Sequence, residues 1–256
     1  MVTKKVKKKL NVKALLVLLL SLYLIVMLGY YIFTMPIKTI NIEGTGILKE
    51  EEVIKVAELD NYPSIFRTSS RGIKRKIEEL DLVNECKIEK TILGRLTIII
   101  DEAKVLFFNK TNNKYALSNK KETEFKESLV GIPILINYIP DDIYSELIEK
   151  MDKIDSNIIS LVSEIEYSPD IKDSTMIDKY RFILRMNDGN RIFINIANFE
   201  KLNEYKRLFS TIEENEKGTF YLDGSRKNVL FRTFAADKGG KEDELPEDID
   251  KSSSDS

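Results

Sequence analysis

The stretch TILGRLTIIIDEAKVLFF, residues 91–108, holds two strong strand patterns with only a short charged break between them. The isoleucines at 98–100 indicate a buried strand, and the apolar run at 105–108 indicates another. The break at 101–104, DEAK, is too short to act as a flexible linker. We therefore expect it to be the seam between two abutting domains. The alternative is one mixed domain with a bulge at this point.

The residues before the seam predict a small α+β domain at 36–104 with the element order β-α-α-β-β. Its first helix begins with three glutamates, which the positive end of a helix dipole favours. Its second helix carries a single apolar stripe, so two helices can cover one face of a three-stranded sheet. The expected elements are strands at 37–44, 83–90 and 95–102 and helices at 48–59 and 68–80.

Beyond the seam, short strands dominate, and they predict a mixed, β-rich domain with two helices at 105–234. Two hairpins are expected, each with an Asp-Gly pair in its turn, at 188–189 and 223–224. The expected helices are 141–155 and a segment that begins at Asn198 as its N-cap and stops at Gly218.

Residues 14–33, ALLVLLLSLYLIVMLGYYIF, form a run of twenty residues without a charge. At about 1.5 Å per residue, a helix of this length spans a hydrocarbon core of about 30 Å. Six lysines and no acid precede it within 1–13, so the positive-inside rule predicts a basic cytoplasmic tail and an extracytoplasmic remainder. The alternative is a cleaved signal peptide. Its apolar core would be shorter and would end at a small-residue cleavage site, so we expect an uncleaved single-pass anchor in the cell membrane.

The C-terminal residues 235–256 contain eight acids, three lysines and few large apolar side chains. Such a segment cannot bury enough surface to offset the entropy of ordering, so we predict a disordered acidic tail. We expect this tail to keep the chain soluble rather than to bind a partner.

The composition excludes several kinds of chemistry. The chain has no histidine, which removes Ser-His-Asp and Cys-His catalysis and imidazole metal sites. Its single cysteine, Cys86, permits no internal disulfide or thiolate cluster, and its apolar neighbours indicate a small core residue. The net charge of −2 does not favour nucleic acid as a partner. We therefore expect no cofactor, no metal and no small-molecule substrate.

Taken in order, these segments resemble the DivIB/FtsQ proteins of bacterial cell division. The resemblance covers about residues 14–234 and implies a POTRA-like domain (polypeptide-transport-associated) at 36–104, followed by the family's β domain at 105–234. The chain departs from the family where Leu93-Gly94 stand in place of a frequent aromatic-proline pair. The segments that carry the resemblance are IKTINIEGTGILKEEEVIKVAEL (37–59), SIFRTSSRGIKRKIEELDLVNECKIEK (64–90), GRLTIIIDEAKVLFF (94–108), LRMNDGNRIFINI (184–196) and EKGTFYLDGSRKNVLFRTF (216–234).

The resemblance implies a non-enzymatic scaffold of the division septum. Its partners in the family are two small single-pass coiled-coil proteins, of the FtsL and FtsB (DivIC) types, and the complex helps to position and activate septal peptidoglycan synthesis. The last strand, 228–234, can lie at a sheet edge and accept a strand from a partner. The expected partner-binding residues are Tyr221, Val229, Leu230, Phe231, Arg232 and Phe234. The alternative is that Phe231 and Phe234 are ordinary core residues.

Two other functions are compatible with an anchored extracytoplasmic chain. A cell-wall hydrolase would need a pair of carboxylates, such as Asp141 and Asp142 or Asp101 and Glu102. The first pair is better explained as the beginning of a helix. A POTRA-bearing translocation or sensor component is the other alternative, although thirteen residues before the anchor are too few for a cytoplasmic output domain.

Overall fold

A computed structural model describes residues 11–172, 175–210, 212, 216–224 and 229–234 of the chain. Contacts divide the chain into two compact units, Met1–Ala103 and Lys104–Ser256. The first unit contains a long apolar helix and a three-stranded sheet, and the second contains a nine-stranded sheet with a few helices. The predicted α+β fold class is therefore confirmed. The predicted tail at 235–256 and most of the basic tail at 1–13 lie outside the described residues.

The apolar helix α1, Val12–Phe33, is 22 residues long and has a mean hydropathy of 2.5. Its side chains are exposed throughout, and its length and composition are sufficient to cross a membrane. The side chain of Asn11 caps its first turn by accepting the backbone N–H of Ala14. The helix ends where Thr34, Met35 and Pro36 follow, because proline cannot donate a backbone hydrogen bond.

The rest of the first unit has the predicted order β-α-α-β-β. In its sheet, β1 pairs with β3 in parallel and β2 pairs with β3 in the antiparallel sense, so β3 is the central strand. Ser69 caps α3 by accepting the N–H of Gly72, and the apolar stripe of that helix, Ile73 and Ile77, is buried. The elements are β1 Thr39–Glu43, α2 Glu50–Val56, α3 Ser70–Glu78, β2 Val83–Lys90 and β3 Arg95–Glu102.

The nine-stranded sheet of the second unit has the order β14-β13-β12-β11-β8-β7-β4-β5-β6. The predicted hairpin around Gly189 is confirmed as β11 and β12, and Gly189 has the positive φ of +90° that its turn requires. Two further strands form a small separate sheet that the sequence pattern did not predict. The strands are β4 Val105–Asn109, β5 Lys114–Leu117, β6 Glu122–Thr123, β7 Ile134–Leu135, β8 Val162–Tyr167, β9 Asp170–Lys172, β10 Thr175–Asp178, β11 Arg181–Met186, β12 Arg191–Asn195, β13 Gly218–Leu222 and β14 Leu230–Thr233.

The helical segments of the second unit bury their apolar sides in one core with the inward side chains of the sheet. They are α4 Asp141–Asp152, α5 Ser156–Ile159, a 3₁₀ segment Ile196–Glu204 and α6 Tyr205–Phe209. Phe182 and Phe199 meet edge to face in this core, with ring centroids 5.6 Å apart. The predicted helix from Asn198 to Gly218 is wrong at both ends. Asn195 provides the cap, by accepting the N–H of Ala197, and Gly218 begins strand β13.

Candidate functional site: the edge strand of the larger sheet

Strand β14 is at the end of the strand order, and among the described residues it pairs with β13 alone. The two strands are antiparallel, with Thr219 opposite Arg232 and Phe220 opposite Phe231. Leu230 is 40% exposed although it is a large apolar residue in a strand. A strand in this position is the part of a sheet to which another chain can add a strand. The first residue of the predicted strand, Asn228, lies outside the described residues.

The side chains along β14 alternate between the core and the outer face of the sheet. Val229 and Phe231 pack against the core, and the rings of Phe231 and Phe220 are 4.7 Å apart. Because successive residues of a strand point to opposite faces, Leu230, Arg232 and Phe234 belong to the outer face. Four of the six predicted residues thus share the outer face of the sheet: Tyr221, Leu230, Arg232 and Phe234. The other two, Val229 and Phe231, pack against the core.

A row of cationic and aromatic side chains crosses the outer face on four successive strands. The rings of Phe193 and Tyr221 are stacked, with centroids 5.4 Å apart and planes 6° from parallel. The guanidinium of Arg181 lies 5.2 Å from the centre of the Phe193 ring, and that of Arg232 lies 5.9 Å from the Tyr221 ring. Each contact is within cation–π range, so the row holds Arg232 in place at the edge of the sheet.

The sequence prediction missed Arg181 and Phe193 of this cation–aromatic row, and also Arg191, whose guanidinium is 5.8 Å from the Phe234 ring. The signal was present in the alternation of RFILRM and RIFIN, where four of the six outward positions are basic or aromatic. Only the pairing of the strands shows that these positions are neighbours, because strands β11 and β13 are far apart in the sequence.

A buried polar cluster fixes the strand beside β14. The side chain of Asn190 is buried, accepts the backbone N–H of Gly218 at 3.0 Å and donates to the hydroxyl of Tyr205 at 3.1 Å. That hydroxyl donates to the carboxylate of Asp188 at 2.6 Å. Burial, and then the hydrogen bond to Asp188, raise the pKa of Tyr205 well above its ordinary value, so its hydroxyl stays protonated. The cluster ties the turn of the β11–β12 hairpin to the first residue of β13.

The carboxylate pairs that a hydrolase could use have structural roles here. Asp141 and Asp142 lie in the first turn of α4, as the helix prediction required. Asp101 accepts a hydrogen bond from the amide of Asn84, and Glu102 accepts backbone N–H groups at 47 and 48. Among the described residues, no group of three or more acidic or cysteine side chains is arranged to hold a metal ion.

Comparison with protein families matches residues 35–103 to the POTRA domain of the FtsQ type. Most of the chain is also similar to curated cell division proteins named DivIB. It is 24% identical over 225 residues to that of Bacillus subtilis, covering 85% of this chain and 83% of that protein. It is 23% identical over 252 residues to that of Listeria monocytogenes, covering 93% of this chain and 90% of that protein.

One solved structure that matches is the major extracytoplasmic domain of DivIB from Geobacillus stearothermophilus. It is 21% identical, covers 45% of this chain and 98% of that chain, and gives a TM-score of 0.35. The predicted resemblance is confirmed by the sequence comparisons: residues 35–103 match the POTRA domain of the FtsQ type, and over most of its length the chain is similar to DivIB cell-division proteins.

Proposed function

We propose that the chain is a non-enzymatic scaffold of the division septum, anchored in the cell membrane by an uncleaved α1. The relatives support the division role, and the length and hydropathy of α1 support the anchor. The lysines of residues 1–13 support a cytoplasmic N-terminus by the positive-inside rule, which would make both folded domains extracytoplasmic.

Its partners are small single-pass division proteins of the FtsL and FtsB (DivIC) types, and one of them adds a strand to β14. The edge position of β14 is the observation that carries this proposal. The N–H of Phe234 donates to the carbonyl of Lys217 on the β13 side, at 3.0 Å. In an antiparallel ladder, backbone groups alternate between the two sides of a strand, so those of Phe231 point to the open side. A partner strand would bond to these groups.

The side chains give this edge its selectivity. Leu230 offers apolar surface, and Arg232, held against Tyr221, offers a charge that suits an acidic partner residue. Val229 and Phe231 support the strand from the core side. The complex in turn helps to position and activate septal peptidoglycan synthesis, with this chain as the part that recruits and holds the other members.

The test uses two variants that each place a lysine at an apolar side chain of the same sheet. Leu230 on β14 is 40% exposed, and Ile134 on β7 is 39% exposed, so Leu230→Lys and Ile134→Lys should perturb folding equally little. Each is fused to a fluorescent protein at its N-terminus and expressed in dividing cells. We then measure its band at midcell and its co-purification with the FtsL-type and DivIC-type proteins of the same cell.

We expect Leu230→Lys to lose co-purification while Ile134→Lys retains it, with both fusions at normal levels. Equal co-purification of both variants would show that the partners bind elsewhere than at β14. A uniform membrane signal from the unaltered fusion would contradict the septal role itself.

A further inference from the structure

Four large side chains of the POTRA domain are exposed around the end of α1. Tyr62 and Phe66 are 54% and 42% exposed, and Ile92 and Leu93, in the turn between β2 and β3, are 77% and 74% exposed. We call these four residues the helix-exit surface. Scattered apolar residues on a surface are ordinary, but four grouped around one point of the fold indicate an interaction.

The loop that carries Tyr62 and Phe66 is bonded directly to the end of α1. The hydroxyl of Ser64 donates to the carbonyl of Phe33, the last residue of the helix, at 2.5 Å. The N–H of Ile65 donates to the carbonyl of Met35 at 3.1 Å. The two aromatic side chains are therefore within a few residues of the point where the helix ends.

The β2–β3 turn is held at the same end of the domain. The N–H of Lys38 donates to the carbonyl of Gly94 at 2.8 Å. Gly94 has a positive φ of +89°, and a Cβ there would lie 3.1 Å from the carbonyl oxygen of Pro36, so the position favours glycine. Strands β1 and β3 run parallel from here, with Thr39 opposite Arg95, so the turn lies at the α1 end of the sheet.

The chain between α1 and this turn is short. Lys38 lies five positions after Phe33, and an extended chain over that distance reaches at most about 17 Å. When α1 spans the bilayer, the helix-exit surface is therefore confined to the region where the helix emerges from the bilayer. Aromatic and aliphatic side chains are stable in the interfacial layer of a membrane. Their apolar surface is removed from water there without entering the centre of the hydrocarbon core.

We propose that the helix-exit surface inserts into the interfacial layer of the membrane that α1 spans. The exposed cations Arg67 and Arg95 lie beside it in the chain, and the exposed Lys38 is bonded to Gly94 next to it. Their long side chains can reach lipid phosphates. Together with α1, this gives the POTRA domain several points of attachment and fixes its tilt on the membrane. The inference rests on the proposed anchoring role of α1.

The test exploits the absence of tryptophan from the chain, so that one introduced tryptophan is the only indole. The full chain is reconstituted, without other proteins, in vesicles of phosphatidylcholine and phosphatidylglycerol, with or without brominated acyl chains, which quench a tryptophan in contact with them. Leu93→Trp and Tyr62→Trp report on the two loops of the surface. Because Tyr62→Trp exchanges one aromatic residue for another, it still reports on the surface if Leu93→Trp disturbs the fold.

Two further variants serve as controls. Ile47→Trp is the matched control, because Ile47 is an apolar residue that is 38% exposed and bonds to Glu102 at the far end of β3. The eight residues of β3 put it about 25 Å from the turn. Leu22→Trp, in the middle of α1, reports whether that helix lies in the bilayer.

We expect Leu22→Trp, Leu93→Trp and Tyr62→Trp to lose emission in brominated vesicles and Ile47→Trp to keep it. Quenching at Leu22, with Leu93 and Tyr62 no more quenched than Ile47, would overturn the inference and leave the anchor in place. Equal quenching at Ile47 would also overturn it, because the domain would then lie on the membrane without a preferred face. Absence of quenching at Leu22 would overturn the anchor and this inference together.

Discussion

The carboxylate of Glu102 accepts the backbone N–H of Leu48, which lies 54 residues earlier in the chain, with 2.9 Å between Oε1 and N. The same carboxylate accepts the N–H of Ile47 at 2.9 Å and also that of Gly46. The end of β3 thus holds the loop that leads into α2. A carboxylate that accepts several backbone N–H groups replaces the water those groups would otherwise bind.

Replacement of Glu102 by glutamine should loosen this loop. The amide keeps one acceptor oxygen but loses the charge, and hydrogen bonds to charged groups contribute about 1.5–3 kcal/mol each. We expect the amides at 46–48 to exchange with deuterium at least about tenfold faster, since 1.4 kcal/mol corresponds to a factor of about ten. Asp101→Asn is the matched control, because Asp101 is exposed and bonded to one amide, and it should leave these rates unchanged.

Gly218→Ala should displace the terminal strand. A Cβ at this position would lie 2.8 Å from both the carbonyl carbon of Arg232 and Cζ of Phe231, and closer still to the carbonyl oxygen of Arg232. Strand β14 would have to move away from β13, and overpacking of this kind costs about 1–3 kcal/mol. The measurable result is faster amide exchange along β14 and weaker co-purification with the proposed FtsL-type and DivIC-type partners.

The control for Gly218→Ala is Gly72→Ala in α3. There the nearest atom, Cβ of Ser69, would lie 3.4 Å from the new Cβ, which is ordinary contact, and alanine suits a helix better than glycine. This variant should bind partners as the unaltered chain does. Unchanged amide exchange along β14 in Gly218→Ala would contradict the prediction, because it would show that β14 stays in place beside a side chain at position 218.

Asn190→Leu should destabilise the second unit. The change leaves the N–H of Gly218 without its acceptor and the hydroxyl of Tyr205 without its donor, and a buried unsatisfied group costs about 1–3 kcal/mol. Urea unfolding of the chain in detergent would show a lower midpoint. Asn112→Ala removes an exposed amide bonded to Glu122 and should change the midpoint little. Equal midpoints for the two variants would contradict a stabilising role for the buried cluster.

Cys86 should be chemically inert in the folded chain. Burial, and then the nearby charge of Glu78, raise the pKa of its thiol to about 11 from an ordinary 9.0. Between about pH 9 and pH 11 the unfolded chain therefore releases this proton while the folded chain keeps it, so the free energy of unfolding falls as pH rises.

The measurement compares Cys86→Ala with the unaltered chain, since lysines and tyrosines titrate in the same range. The unaltered chain should lose stability more steeply above pH 9, and its thiol should react with a disulfide reagent only after unfolding. Parallel curves, together with rapid reaction of the native thiol, would mean that Cys86 is accessible.

The sequence by itself determined the features that depend on local pattern. A run of twenty uncharged residues is long enough for α1, and the alternation of IKTINIEG and GRLTIIID specifies strands whatever surrounds them. The turn at Gly189 follows from an Asp-Gly pair between two β-rich runs. The order β-α-α-β-β of the POTRA domain is the sum of such local signals.

Only the tertiary structure decided the roles that depend on distant neighbours. Gly218, which the sequence suggested as the end of a helix, is instead the first residue of β13, and its lack of a side chain lets Arg232 approach. Glu102 ends a strand in the sequence but caps a loop 54 residues away. The cation–aromatic row and the helix-exit surface likewise join segments far apart in the chain. Local periodicity fixes which face a side chain occupies, whereas strand pairing and register fix what it meets there.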